Sequence, residues 1–110
     1  MKVSVEEHGE AIVIKLQGEM MLGYEANDFH EAILKALEKN EKKIIVDLSN
    51  VHFISSWGIG ILIYGYTTAT SAGGKFKLAA VPENITAVIK KIKLDKVFEK
   101  YATVDEALMN

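Results

Sequence analysis

Ser55 and Ser56 stand side by side in the stretch Phe53-Ile54-Ser55-Ser56-Trp57-Gly58-Ile59-Gly60, after one apolar run and before another, with no charged residue beside them. Paired hydroxyls at a joint between a strand and a helix have two uses. One hydroxyl caps the helix, accepting a hydrogen bond from an otherwise unpaired amide of the first turn. A hydroxyl there is also a favourable carrier of phosphate, because free amides and the helix dipole both stabilise an anion. One residue can serve both ends.

Catalytic readings of the same stretch fail on spacing. A hydrolase nucleophile elbow needs Gly-x-Ser-x-Gly, and Ile54 holds the place of the first glycine before Ser56, in a chain too short for that fold. Gly58 and Gly60 follow a strand and enter a helix as a dinucleotide fingerprint would, but Ile63 replaces the third glycine. His8, His30 and His52 lack ligand spacing and read as incidental surface or structural residues, so no metal site is expected. Lys90, Lys91, Lys93 and Lys96 read as the solvated side of a helix whose other side is apolar. No acid, base and nucleophile converge at any motif, which predicts a binding module rather than an enzyme, working without a cofactor.

The elements that must position the serines follow from periodicity. Val3 and Val5, then Ile12, Ile14 and Leu16 after Gly9, alternate with polar residues and predict a hairpin of two half-buried strands ending at Gly18. Between Tyr24 and Lys39, Phe29, Ala32, Ile33, Ala36 and Leu37 recur at helical spacing. The run "KKIIVDLSNV" predicts a central strand covered on both faces. A helix from near Trp57 to Gly73-Gly74, a pair suited to a left-handed cap, leads to the strand "KFKLAAV", making a right-handed unit with the two strands parallel. Pro82 opens a third helix with Ile85, Val88, Ile89 and Ile92 on one stripe, and Val104 to Met109 forms a short last one. The predicted order is ββαβαβαα, an α/β fold over residues 1–110 with helices packed on a mixed sheet of about four strands.

The helix after the serines is unusual in lacking charge. From Val51 to Gly74 there is no Asp, Glu, Lys or Arg. Gly58, Leu62, Gly65 and Ala69 form a mostly small stripe expected to pack closely on the sheet. Trp57, Gly60, Ile61, Tyr64, Thr67 and Thr68 face the other way, together with Ser55 and Ser56 at the helix start. An uncharged face with aromatic anchors is the composition of a protein-docking surface.

Composition narrows the partners. The chain has 110 residues, 49% of them hydrophobic, enough for one domain with a sizeable core and no room for a second. A formal net charge of −2 is not the basic excess of a nucleic-acid binder. There is no cysteine, the start "MKVSVEEHGE" lacks the apolar core of a signal peptide, and no apolar stretch is long enough to span a membrane. A soluble cytoplasmic protein is expected, with no direct membrane insertion.

The stretch "IIVDLSNVHFISSWGIGILI" carries a resemblance. With the phrases Leu94-Asp95-Lys96-Val97-Phe98 and Val104-Asp105-Glu106-Ala107, it looks like the STAS domain of bacterial anti-sigma-factor antagonists, over essentially the whole chain. Asp47, Leu48, Ser49, Val51, Phe53, Ile54, Ser56, Gly58, Ile59 and Gly60 match the family signature in register, while Ser55 stands in place of its usual aspartate and Trp57 in place of a small residue. The first strand pair of the family usually ends in Gly-[Glu/Arg]-Leu-Asp, and Gly18-Glu19-Met20-Met21 stands here.

The resemblance implies partner switching. In that family the serine aligned with Ser56 is phosphorylated by a kinase that doubles as an anti-sigma factor; the unmodified form captures the kinase and frees sigma, and a serine phosphatase resets the switch. Ser56 is therefore the expected phosphorylation site, with Ser55 the second candidate. Two other readings are a non-phosphorylated STAS subunit of a transporter or sensory complex, and a STAS domain binding a small ligand at the Ser55-Ser56 turn.

Overall fold

A computed structural model describes residues 2–20 and 25–110. Met21 of the Gly18-Glu19-Met20-Met21 phrase and Tyr24 of the predicted first helix lie outside the described residues. The elements run β1 (Lys2–His8), β2 (Ala11–Met20), α1 (Glu25–Glu38), β3 (Lys43–Ile54), α2 (Ser56–Ser71), β4 (Lys75–Ala79), α3 (Glu83–Lys91), β5 (Glu99–Tyr101) and α4 (Val104–Met109). They build one five-stranded sheet in the order β1-β2-β3-β4-β5. β1 and β2 are antiparallel, and every later pair is parallel, so the sheet is mixed as expected. The predicted count of about four strands is corrected to five, and the order ββαβαβαα to ββαβαβαβα: Glu99-Lys100-Tyr101 is only three residues long and has no apolar alternation to announce it.

The hairpin turns at Gly9, whose φ of +65° suits a residue without Cβ at the first position of a two-residue turn. β2 departs from the expected half-buried strand. Ala11, Ile12, Val13, Ile14 and Leu16 are all buried, because helices cover both faces of the sheet. Ile12, Ile14 and Leu16 join the main core with Ile44, Val46, Phe76 and Leu78, against Phe29 and Ile33 of α1, Leu62 of α2 and Ile85 of α3. Val13 points the other way, into a smaller cluster with Ile45, Ala79 and Ala107 of α4. Lys77 is buried beneath that last helix, its Nζ donating to the Ala107 carbonyl at 3.5 Å and lying 5.0 Å from the centre of the Tyr101 ring. Lys43 donates to the Leu108 carbonyl at 2.9 Å. Both amines thus sit at the carboxyl end of α4, where the helix dipole favours a cation.

β3 is central, as its apolar run predicts, and it is longer than "KKIIVDLSNV" suggests. Against β2 its register slips twice, between Lys15 and Gln17 and between Gly18 and Glu19. At the first slip the Ser49 amide donates to the buried Asp47 carboxylate at 2.9 Å, so the signature aspartate supplies a partner where the ladder is interrupted. Of the predicted stripe only Ile85 and Ile89 are buried; Val88 is exposed on α3, a helix of 9 residues, and Ile92 is exposed as its C-cap. Lys90, Lys91, Lys93 and Lys96 face solvent.

Of the small stripe of α2, Leu62 and Ala69 join the core against the sheet, while Gly65 serves a different neighbour. A Cβ on Gly65 would lie 2.9 Å from Ile33 Cδ1 and 2.9 Å from Phe29 Cε2, so this glycine admits the side chains of α1 and not the sheet. The two glycines after α2 also divide their work. Gly73 takes the left-handed conformation at φ +81°. Gly74 does not; a Cβ there would lie 2.8 Å from the Lys42 carbonyl oxygen, which accepts the Lys75 amide at 2.7 Å where β3 and β4 begin to pair.

Candidate functional site at the start of α2

The structure separates the two serines. Ser55 is the N-cap, with φ −94° and ψ 173°, and its Oγ accepts from the Gly58 amide at 3.1 Å. Its carbonyl accepts the Ile59 amide at 3.0 Å, which closes the first turn. Ser56 is the first helical residue, one position ahead of the predicted start, and is exposed. Capping therefore belongs to Ser55, and Ser56 presents its hydroxyl to solvent beside the amides of the first turn. Neither acidic nor basic residues occupy the end turns of α2.

Ser55→Ala is accordingly expected to cost about 1 kcal/mol of stability, read from the urea midpoint. Ser56→Ala is expected to stay within about 0.5 kcal/mol of the parent. A loss at Ser56 as large as that at Ser55 would contradict the division.

Trp57 and Tyr64 rise on the outer side of α2, 57% and 58% exposed. With Gly60 and Ile61 they line a hollow of about 270 Å³. Gly60 is exposed and a Cβ on it would meet nothing within 4 Å, so the glycine keeps the hollow open. Ile61, expected to face outward, is buried and forms the floor. Thr67 and Thr68 lie on the same side of the helix but outside the hollow, along a separate shallow groove with Leu34 and Leu37 of α1. Phe53, two residues before the cap, is 45% exposed and adds an apolar side chain at the joint.

One member of the site is invisible in the sequence. His30 of α1 stacks on Tyr64 with ring centroids 4.3 Å apart and planes 13° from parallel. Its Nδ1 is buried without a hydrogen-bond partner. Stacking on an imidazole restricts the Tyr64 ring. The other two histidines are placed elsewhere: His8 lies 3.5 Å from Glu6, and the His52 carbonyl accepts from Asn84 at 3.0 Å. Among the described residues no three His, Cys, Asp or Glu side chains are grouped to hold a metal ion.

An uncharged helix face with a capped start, an exposed hydroxyl and two aromatic anchors coincides with the signature stretch, and the sequence pattern of the STAS domain matches residues 2–107. The chain belongs to the STAS domain family. Among relatives of this STAS domain, the anti-sigma-F factor antagonist RsfB of Mycobacterium tuberculosis is 31% identical over 108 residues, covering 96% of this chain and 85% of RsfB. The TM1081 homolog of Thermotoga neapolitana is 33% identical over 72 residues, covering 66% of this chain and 64% of that protein, so the match spans less than two thirds of its length. The crystal structure of an anti-sigma factor antagonist from Mycobacterium paratuberculosis superposes with a TM-score of 0.80 at 29% identity, covering 98% of this STAS domain and 91% of that chain. No helix among the described residues is long and apolar enough to cross a membrane.

Proposed function

We propose that this STAS domain is an anti-sigma factor antagonist acting by partner switching in the cytoplasm. The unmodified face of α2 docks an anti-sigma factor that is also a serine kinase, phosphorylation of Ser56 releases it, and a serine phosphatase restores binding. The observation that carries the reading is the exposed Ser56 hydroxyl at the first helical position, beside the hollow of Trp57, Gly60, Ile61 and Tyr64. A phosphate there carries a charge of about −1.5 to −2. The first-turn amides and the helix dipole stabilise it, whereas an apolar partner surface pressed on the same turn loses by desolvation. A local modification thus becomes a change in binding. The domain acts by association and not by turnover.

Incubation with the cognate anti-sigma factor kinase and ATP, read by intact mass, tests the switch. One added phosphate at Ser56, absent in Ser56→Ala, is expected. Ser56→Ala is expected to retain binding and lose its sensitivity to ATP. No added phosphate, or one outside Ser55 and Ser56, overturns the switch.

One observation favours a second reading. Trp57, next to Ser56, is 57% exposed, and a bulky ring at that place obstructs a kinase approaching the hydroxyl. On that reading the same face docks permanently in a transporter or sensory complex, and binding is indifferent to ATP.

A further inference from the structure

Gly60 is a feature of α2 that the fold itself does not use. An interior glycine weakens a helix relative to alanine, because it loses the most conformational freedom on folding. Other glycines answer a need of the fold. Gly9 and Gly73 take left-handed backbone, at φ +65° and +81°, and Gly65 and Gly74 stand where a Cβ would press on Phe29 and Ile33 or on the Lys42 carbonyl. Gly60 answers none of these. It lies inside Ser56–Ser71 with φ outside the left-handed region, it is exposed, and a Cβ on it would meet nothing within 4 Å. The space it leaves is open to something outside the chain.

The walls of that space say what fits it. Trp57, Gly60, Ile61 and Tyr64 stand at positions i, i+3, i+4 and i+7, the four-residue hole into which packed helices insert a neighbour's side chain as a knob. Trp57 and Tyr64 close its two ends, about 10 Å apart along the axis. Both rings are more than half exposed, and Ile61 is buried beneath them. At about 270 Å³ the hollow lies below the ~300–1,000 Å³ of sites for drug-sized molecules, which leaves room for a single side chain. No Asp, Glu, Lys or Arg occurs from Val51 to Gly74, so a charged occupant would be desolvated without compensation and an apolar one complements the surface.

We propose that the hollow over Gly60 receives one bulky apolar side chain of the anti-sigma factor, a leucine, methionine or phenylalanine. The inference rests on the docking role given to α2 above, and it names what the partner presents there. Enclosed between the two rings, such a side chain is fully desolvated, the setting in which a few residues supply most of the energy of an interface. Gly60 thus exchanges stability of the free domain for affinity.

The test is calorimetric titration of the full chain with the cognate anti-sigma factor kinase, without ATP so that Ser56 stays unmodified, beside urea denaturation of the free chain. Gly60→Ala is expected to raise the urea midpoint and yet weaken capture at least tenfold. Gly60→Leu, whose own side chain fills the hollow, is expected to weaken capture at least a hundredfold with its circular dichroism unchanged. A glycine needed by the fold would lower the midpoint when replaced by alanine, and that result overturns the proposal. Equal affinity in the parent and both variants overturns it while leaving the docking role of α2 standing. A parent that captures no anti-sigma factor overturns that role and the proposal together. Self-association of the free chain, lost in Gly60→Leu, would put a second copy in the hollow and overturn the assignment to the anti-sigma factor.

Discussion

Replacing Tyr64 by aspartate is expected to abolish capture of the anti-sigma partner while leaving the circular dichroism of the free domain unchanged and costing no more stability than the lost His30 stack, about 0.5–1.5 kcal/mol. The ring is 58% exposed, so the fold loses little packing. In the complex the new carboxylate would be buried beside Trp57 and Ile61, in a hollow lined by no lysine or arginine. An unpaired charge at the core of an interface costs several kcal/mol, roughly 3 or more, which is a hundredfold or greater loss of affinity. Titration calorimetry of the two purified proteins measures it. Undiminished affinity with an intact fold would move the docking surface off α2.

Gly74→Ala is expected to be the most damaging methyl that can be added at the end of α2. Its Cβ would press on the Lys42 carbonyl oxygen at 2.8 Å and approach the Ala69 carbonyl oxygen at 3.2 Å. Both are backbone atoms, and the first is already bonded to the Lys75 amide. Relief requires β3 and β4 to part where their pairing begins, so a loss of about 3 kcal/mol is expected, the upper part of the overpacking range. Gly73→Ala meets nothing within 4 Å and pays only for its φ of +81°, about 1 kcal/mol. Gly65→Ala gains about 1 kcal/mol of helix propensity. Against that, Ile33 and Phe29 must shift, leaving a small net effect. Urea denaturation of the three variants orders them, and a Gly73 variant weaker than the Gly74 variant would contradict the geometry.

These glycines show where sequence reading reaches its limit. Gly73-Gly74 is legible as a helix stop, but which glycine turns the chain and which makes room depends on a carbonyl more than 30 residues earlier in sequence. Gly65 is legible as part of a small stripe, yet a stripe does not say which element fills it, and α1 does so here. β2 reads as half-buried because Lys15 and Gln17 interrupt it; Val13 is the one residue that betrays the second apolar layer, and α4 over it is too short to predict that cover. Ser55 and Ser56 are chemically identical in the sequence. Only the extended backbone of Ser55 decides that it caps and that Ser56 remains outside. The uncharged outer face of α2 is legible from its missing charges and two aromatics. His30 was not, because its stack with Tyr64 depends on the packing of two helices and leaves no periodic trace.

The strand order β1-β2-β3-β4-β5 also says how the chain can assemble. Each strand lies beside the one synthesised just before it, so none has to be inserted between two strands already paired. The hairpin can close first, in about 1–10 μs, and β3, β4 and β5 then join in turn at the growing edge. Ribosomes deliver about 5–20 residues per second, which is slow beside such steps. A nascent chain can thus add each strand to a finished border as it emerges. The α2 face is built midway through this process, before Lys75–Ala79 has paired with β3.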